Sequence, residues 1–80
     1  MAKTVSEVFR DRFRELVDAK GISKAQCAKE MGIPFSTFKY MYAYGRKRDL
    51  NVLMLTTEYF DVSADYLLGM SDDKNKKNLK

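Results

Sequence analysis

Three consecutive cations, Arg46, Lys47 and Arg48, follow Gly45 directly, the densest run of one chemistry in the 80-residue chain. A glycine-containing loop with such a run offers many donors and no side-chain acceptor, which suits the oxygens of a polyanion. The wider charge distribution agrees, since 15 Lys/Arg stand against 11 Asp/Glu for a net charge of +4. Residues 1–50 hold 11 of the bases and 6 of the acids, residues 51–73 hold 5 acids and no base, and the last seven residues hold 4 lysines. Catalysis finds no foothold. There is no histidine, the single Cys27 has no general base beside it, and neither a metal-ligand cluster nor a phosphate-cradling glycine loop occurs. The chain is read as non-enzymatic, with no cofactor, no metal and no evident small-molecule ligand.

The elements that must position the cations are helical. Apolar residues make up 45% of a chain with 1 proline and 4 glycines, without the alternating β-branched runs that mark strands. Phe9, Phe13, Leu16 and Val17 repeat at helical spacing, with Val5 one turn earlier, predicting an amphipathic helix from about Thr4 to Lys20 that Gly21 ends. Arg10, Asp11, Arg14, Glu15 and Asp18 fall on its opposite face and read as a solvated surface. No apolar run is long enough for a signal peptide or a membrane span, so a cytoplasmic location is expected.

The stretch from Lys24 to Ala43 has the spacing of two short helices joined by a tight turn. Ser23 stands as an N-cap with Gln26 in capping-box position, and Gly32 follows Cys27, Ala28 and Met31 where a left-handed residue would end the first helix. Cys27 and Met31 share one face, and Ala28 is small enough for a second helix to approach closely. Ile33, Phe38 and Met41 turn one side of the next helix back toward the first. Beyond the basic loop, Asp49 caps a helix to about Phe60, with Leu50, Leu53, Met54, Thr57 and Phe60 as its buried stripe. Ser63 opens a short final helix that Gly69 follows. Residues 1–70 form one domain, and the polar residues 71–80 read as a disordered basic tail.

This pattern, in particular G-I-S-x-x-x-x-A-x-x-M-G-I and the closing Y-F-D-V-S-A-D-Y-L-L-G, resembles the phage repressor and Cro-like (XRE-type) helix-turn-helix family. The resemblance spans about residues 6–70 and implies an all-α fold, a compact five-helix bundle of the lambda-repressor-like DNA-binding kind. It also implies that the helix from about Pro34 to Ala43 enters the major groove of double-stranded DNA. Base-reading residues would then be Phe35, Ser36, Lys39 and Tyr40, and phosphate-binding residues Lys24, Arg46, Lys47 and Arg48. Pro34 stands where the family commonly has a Ser or Thr cap, and Asp61 replaces a common glycine.

Two functions fit. The first is a sequence-specific transcriptional regulator, repressor-like, bound to an operator as a homodimer. Tyr66 and Leu67 could contribute to pairing, but they read first as core of their own chain. The second is a protein-interaction module on the same fold, an antirepressor or antitoxin subunit. That reading rests on Phe35, Tyr40, Tyr42 and Tyr44, aromatics that are either packing, partner contacts or readers.

Overall fold

The computed structural model describes residues 3–46 and 49–75, and among these it contains five helices and no strand. They are α1 (Val5–Lys20), α2 (Lys24–Met31), α3 (Phe35–Tyr44), α4 (Leu50–Phe60) and α5 (Ala64–Leu67). The all-α, five-helix expectation holds.

Local chemistry sets most of the boundaries. Thr4 accepts a hydrogen bond from the Glu7 amide while the Glu7 carboxylate accepts from the Thr4 amide, so a full capping box opens α1. At α2 only half of the expected box exists. Ser23 accepts from the Gln26 amide, but the Gln26 side chain donates along the helix to Glu30 instead. Asp49 and Ser63 cap α4 and α5 through the amides of Val52 and Tyr66. Pro34 occupies the N-cap of α3 at φ −61° and makes no side-chain cap bond.

Gly32 ends α2 in the left-handed region at φ 78° and faces open space. Gly45 ends α3 at φ 70° under much tighter conditions, because a Cβ there would lie 2.0 Å from the Ser6 carbonyl oxygen. The C-terminus of α3 therefore abuts the first turn of α1 at a distance only glycine permits. Asp61, at φ 55°, is the one residue other than glycine in the left-handed region among the described residues.

The core is organised around Phe13. Its ring stacks on Phe9 at 5.7 Å and meets Phe38 and Phe60 edge-on at 5.3 and 5.9 Å. Cys27, Ala28, Met31, Ile33, Phe38 and Met41 are all buried, as their spacing required, and Tyr66 and Leu67 are buried within their own chain. Three expected core positions, Val5, Leu50 and Met54, are not. Val5 is 49% exposed, since it lies at the very start of α1, ahead of the packed turns. The stripe expected on α4 is also displaced. Val52 and Thr56 are its buried residues, with Leu53, Tyr59 and Phe60 packed partly against the core, whereas Leu50 and Met54 are 84% and 56% exposed. The Thr56 hydroxyl is tolerated inside because it donates to the Val52 carbonyl at 2.8 Å.

The charged side of α1 is less solvated than its sequence implied. Arg12 donates to the carbonyls of Tyr66 and Ser71 and to the Asp72 carboxylate, and its guanidinium lies 4.3 Å from the Tyr66 ring centroid. Arg14 donates to the carbonyls of Tyr42 and Ala43. Part of the stretch expected to be disordered also makes hydrogen bonds, where the Ser63 amide and hydroxyl donate to the carbonyls of Lys74 and Asp73. Residues 76–80 lie outside the described residues.

Candidate nucleic-acid interface

The outer side of α3 is assembled by helix geometry alone. Phe38 and Met41 face the core, which turns Phe35, Ser36, Lys39 and Tyr40 outward together within an arc of about 140°. All four are exposed, with Phe35 and Tyr40 close to half accessible. Phe35 stacks on Phe38 at 6.4 Å between centroids, and the Lys39 ammonium lies 5.6 Å from the Phe35 ring. An apolar ring and a cation are thus presented side by side. Ser36 adds a hydroxyl, and Tyr40 packs against Tyr44 at 5.9 Å.

Of the aromatics of α3, the four singled out from the sequence, Phe35, Tyr40, Tyr42 and Tyr44, separate into two groups. Tyr42 is part of the scaffold: it is half-buried, stacks on Phe38 and donates its hydroxyl to Asp18 at 3.0 Å. That bond to a carboxylate, reinforced by partial desolvation, pushes the Tyr42 phenol above its ordinary value. Phe35, Tyr40 and Tyr44 remain on the surface.

Lys24 opens α2, and its ammonium sits 4.1 Å from the Tyr42 ring centroid. A cation over an aromatic face is restrained by it, so Lys24 loses conformational freedom there. Arg46 follows Gly45 and is exposed. It lines a cleft of about 330 Å³ with Tyr44, Arg10, Thr4, Ser6 and Glu7, between the start of α1 and the end of α3. Arg10 leaves no sign in the sequence as a neighbour of Arg46, because the cleft joins the ends of elements far apart in the chain. Lys47 and Arg48 lie outside the described residues.

On the far side of α2 a second polar cluster is structural. Tyr59 donates its hydroxyl to Glu30, which also accepts from Gln26. These bonds, Gln26 first, hold the Glu30 carboxyl below its ordinary value, while the bond to Glu30 raises the Tyr59 phenol. Burial pushes the neighbouring Cys27 thiol up, which suits an inert core residue. Among the described residues no group of acidic, cysteine or histidine side chains could hold a metal ion, and no helix is long and apolar enough to cross a membrane.

No family profile and no solved structure matches the chain. It is 34% identical over 77 residues to YobD of Bacillus subtilis (strain 168), an uncharacterized HTH-type transcriptional regulator; the match covers 91% of this chain and 69% of that protein.

Proposed function

The chain belongs to the HTH-type transcriptional regulators, and from that premise we propose that it is a non-catalytic, repressor-like regulator of the phage repressor and Cro-like type. It acts in the cytoplasm by occupying an operator in double-stranded DNA, with α3 in the major groove. The observation that carries this reading is the shared exposure of Phe35, Ser36, Lys39 and Tyr40 along one side of α3. Lys39 can donate to guanine O6 or N7, Ser36 can bond several base edges, and Phe35 can pack on a thymine methyl. Lys24, Arg46, Lys47 and Arg48 would contact phosphates and fix the register of the helix. No Arg, Asn or Gln in the reading set supplies a bidentate base contact, so discrimination is modest and rests partly on apolar contact.

The test is binding to DNA from around the chain's own gene and to random duplexes, titrated with salt. If two copies neutralise on the order of six to ten phosphates, affinity falls roughly a thousandfold or more between about 50 and 200 mM salt. Binding that is absent, or indifferent to salt, sinks the regulator reading. That outcome would favour a protein-interaction module, for which the exposed Phe35, Tyr40 and Tyr44 are the supporting feature.

A further inference from the structure

We propose that Tyr42 is the positioning residue of the phosphate contact on α2, its ring holding the Lys24 ammonium where a DNA backbone would meet it, an inference that rests on the DNA-binding reading. The ring is a fixed platform. It belongs to α3, stacks on Phe38 at 6.3 Å between centroids and donates its hydroxyl to Asp18 of α1 at 3.0 Å. The Arg14 guanidinium, also from α1, lies 5.2 Å from its centroid, and Arg14 donates to the Tyr42 and Ala43 carbonyls, which ties the backbone carrying the ring to α1 as well.

Lys24 uses that platform from a third element. As the first residue of α2, it sets its ammonium 4.1 Å from the Tyr42 centroid. The side chain of Tyr42 therefore joins α1, α2 and α3 at one point. Lys24 is exposed and, among the described residues, enters no ion pair. An ammonium carries several N–H donors, and a ring face engages only some of them, which leaves the others open to an anion. Lys24 can thus reach a phosphate oxygen without leaving the ring.

The gain is preorganisation. A free lysine surrenders its rotamer freedom when it seats on a phosphate, and one already restrained has less to surrender. Because the restraint is a side chain of α3, it also couples the phosphate contact to the helix proposed to read bases, and a shift of α3 carries the Lys24 ammonium with it. Phosphate contacts fix the register in which bases are read. Tyr42 links register and reading within one side chain.

A double-mutant cycle tests this, with duplexes selected by the native chain from a random pool as the probe. Tyr42→Leu is expected to weaken binding about two- to fivefold, the size of an exposed cation–ring contact, and that factor is expected to vanish when Lys24 is already glutamine. Tyr42→Phe, which keeps the ring and gives up only the Asp18 bond, retains most of the affinity. Should Tyr42→Leu fail to fold, pentafluorophenylalanine at position 42 keeps the ring's shape, reverses its quadrupole and is expected to show the same loss and the same dependence on Lys24. In proton NMR the Lys24 side-chain methylenes are expected upfield of their ordinary positions, shifted by the Tyr42 ring current, both free and on the duplex. Equal losses with Lys24 and with glutamine, as a residue that merely supports the fold would give, overturn the proposal and leave DNA binding intact. A loss in Tyr42→Phe as large as in Tyr42→Leu, or ordinary Lys24 shifts on the duplex, does the same. Failure of the native chain to retain any duplex from the pool overturns both.

Discussion

The Arg14 guanidinium and the Tyr42 carbonyl oxygen meet at 2.6 Å, so a side chain of α1 caps the C-terminus of α3. The last carbonyls of a helix have no partner within it, and a cation there also opposes the negative end of the helix dipole. Charged hydrogen bonds of this kind are worth about 1.5–3 kcal/mol before solvent exposure reduces them. Arg14→Met is expected to destabilise the fold by roughly 1–2 kcal/mol in urea unfolding, and Arg14→Lys to recover part of it. Equal stability of Arg14→Met and the native chain would show the cap to be idle.

Two glycines with nearly the same φ should respond very differently to alanine. Gly32→Ala meets open space and incurs only the left-handed penalty, about 1–2 kcal/mol. Gly45→Ala adds a clash with the Ser6 backbone that cannot be relieved by a rotamer change, so the variant should lose several times as much stability or fail to fold. Thermal unfolding of the pair decides it, and similar melting temperatures would mean that α1 and α3 are not in contact as described.

Pro34 trades one stabilising effect for another. Serine at this N-cap would gain about 1 kcal/mol from the side-chain bond, while losing the roughly 0.4–1 kcal/mol that proline supplies by restricting the unfolded chain. Pro34→Ser is therefore expected to be close to neutral, and Pro34→Ala to be less stable than Pro34→Ser by about 1 kcal/mol. Chemical denaturation of both variants measures the difference; equal values would show that the position does not cap α3.

Acid should destabilise the protein through identifiable carboxylates. Backbone and hydroxyl bonds from Thr4 hold Glu7 below its ordinary value of 4.5, and bonds from Lys3 and Arg10 hold Asp11 below 3.8. Glu30 is lowered as well, chiefly by Gln26. A carboxyl with a depressed folded value stabilises fully above its unfolded value, and that contribution disappears as pH falls through the folded value. Stability should thus decline with pH below about 4.5, the unfolded value of the two glutamates. Glu7→Gln, which removes the titrating carboxyl, should flatten that acid limb, as seen in denaturant midpoints recorded across the range.

On DNA, phosphate and base contacts should separate. Lys24→Gln and Arg46→Gln are each expected to weaken binding on every sequence and to reduce the salt slope by about one. Lys39→Ala and Phe35→Ala should change the preferred sequence, with losses of about 1–3 kcal/mol confined to particular base pairs. Uniform losses from all four substitutions would refute the division between readers and phosphate contacts. For Phe35 a sharper check is replacement of thymine by uracil, which removes only the methyl group.

The scaffold was legible where one residue type has one conformational use. Gly32 at a left-handed helix end and Ser23, Asp49 and Ser63 as caps are local facts, and the core spacing of Cys27, Ala28, Phe38 and Met41 follows from a single clear arc. In α4 the arc was not clear, because Leu50, Val52, Leu53, Met54 and Leu55 place apolar groups on nearly every side. Only packing against α2 and α5 chooses Val52 and Thr56 for the interior. Arg12 and Arg14 were illegible for a different reason. Their acceptors are backbone carbonyls far along the chain, and a carbonyl leaves no mark on the sequence.

The Gly45–Ser6 approach, the Arg14 bonds and the Tyr42–Asp18 bond all act on the last turn of α3, whereas its first turn is held by the apolar packing of Ile33 and Phe38. Mechanically, α3 is a cantilever. Its directional restraints sit at the root, and Phe35 and Ser36 ride near the tip, about 13 Å away at the usual helical rise. A tilt of about 4° at the root displaces the tip by roughly 1 Å, comparable to the tolerance of a base contact. On the proposed reading, substitutions at the root retune which sequence is preferred without touching Phe35, Ser36, Lys39 or Tyr40.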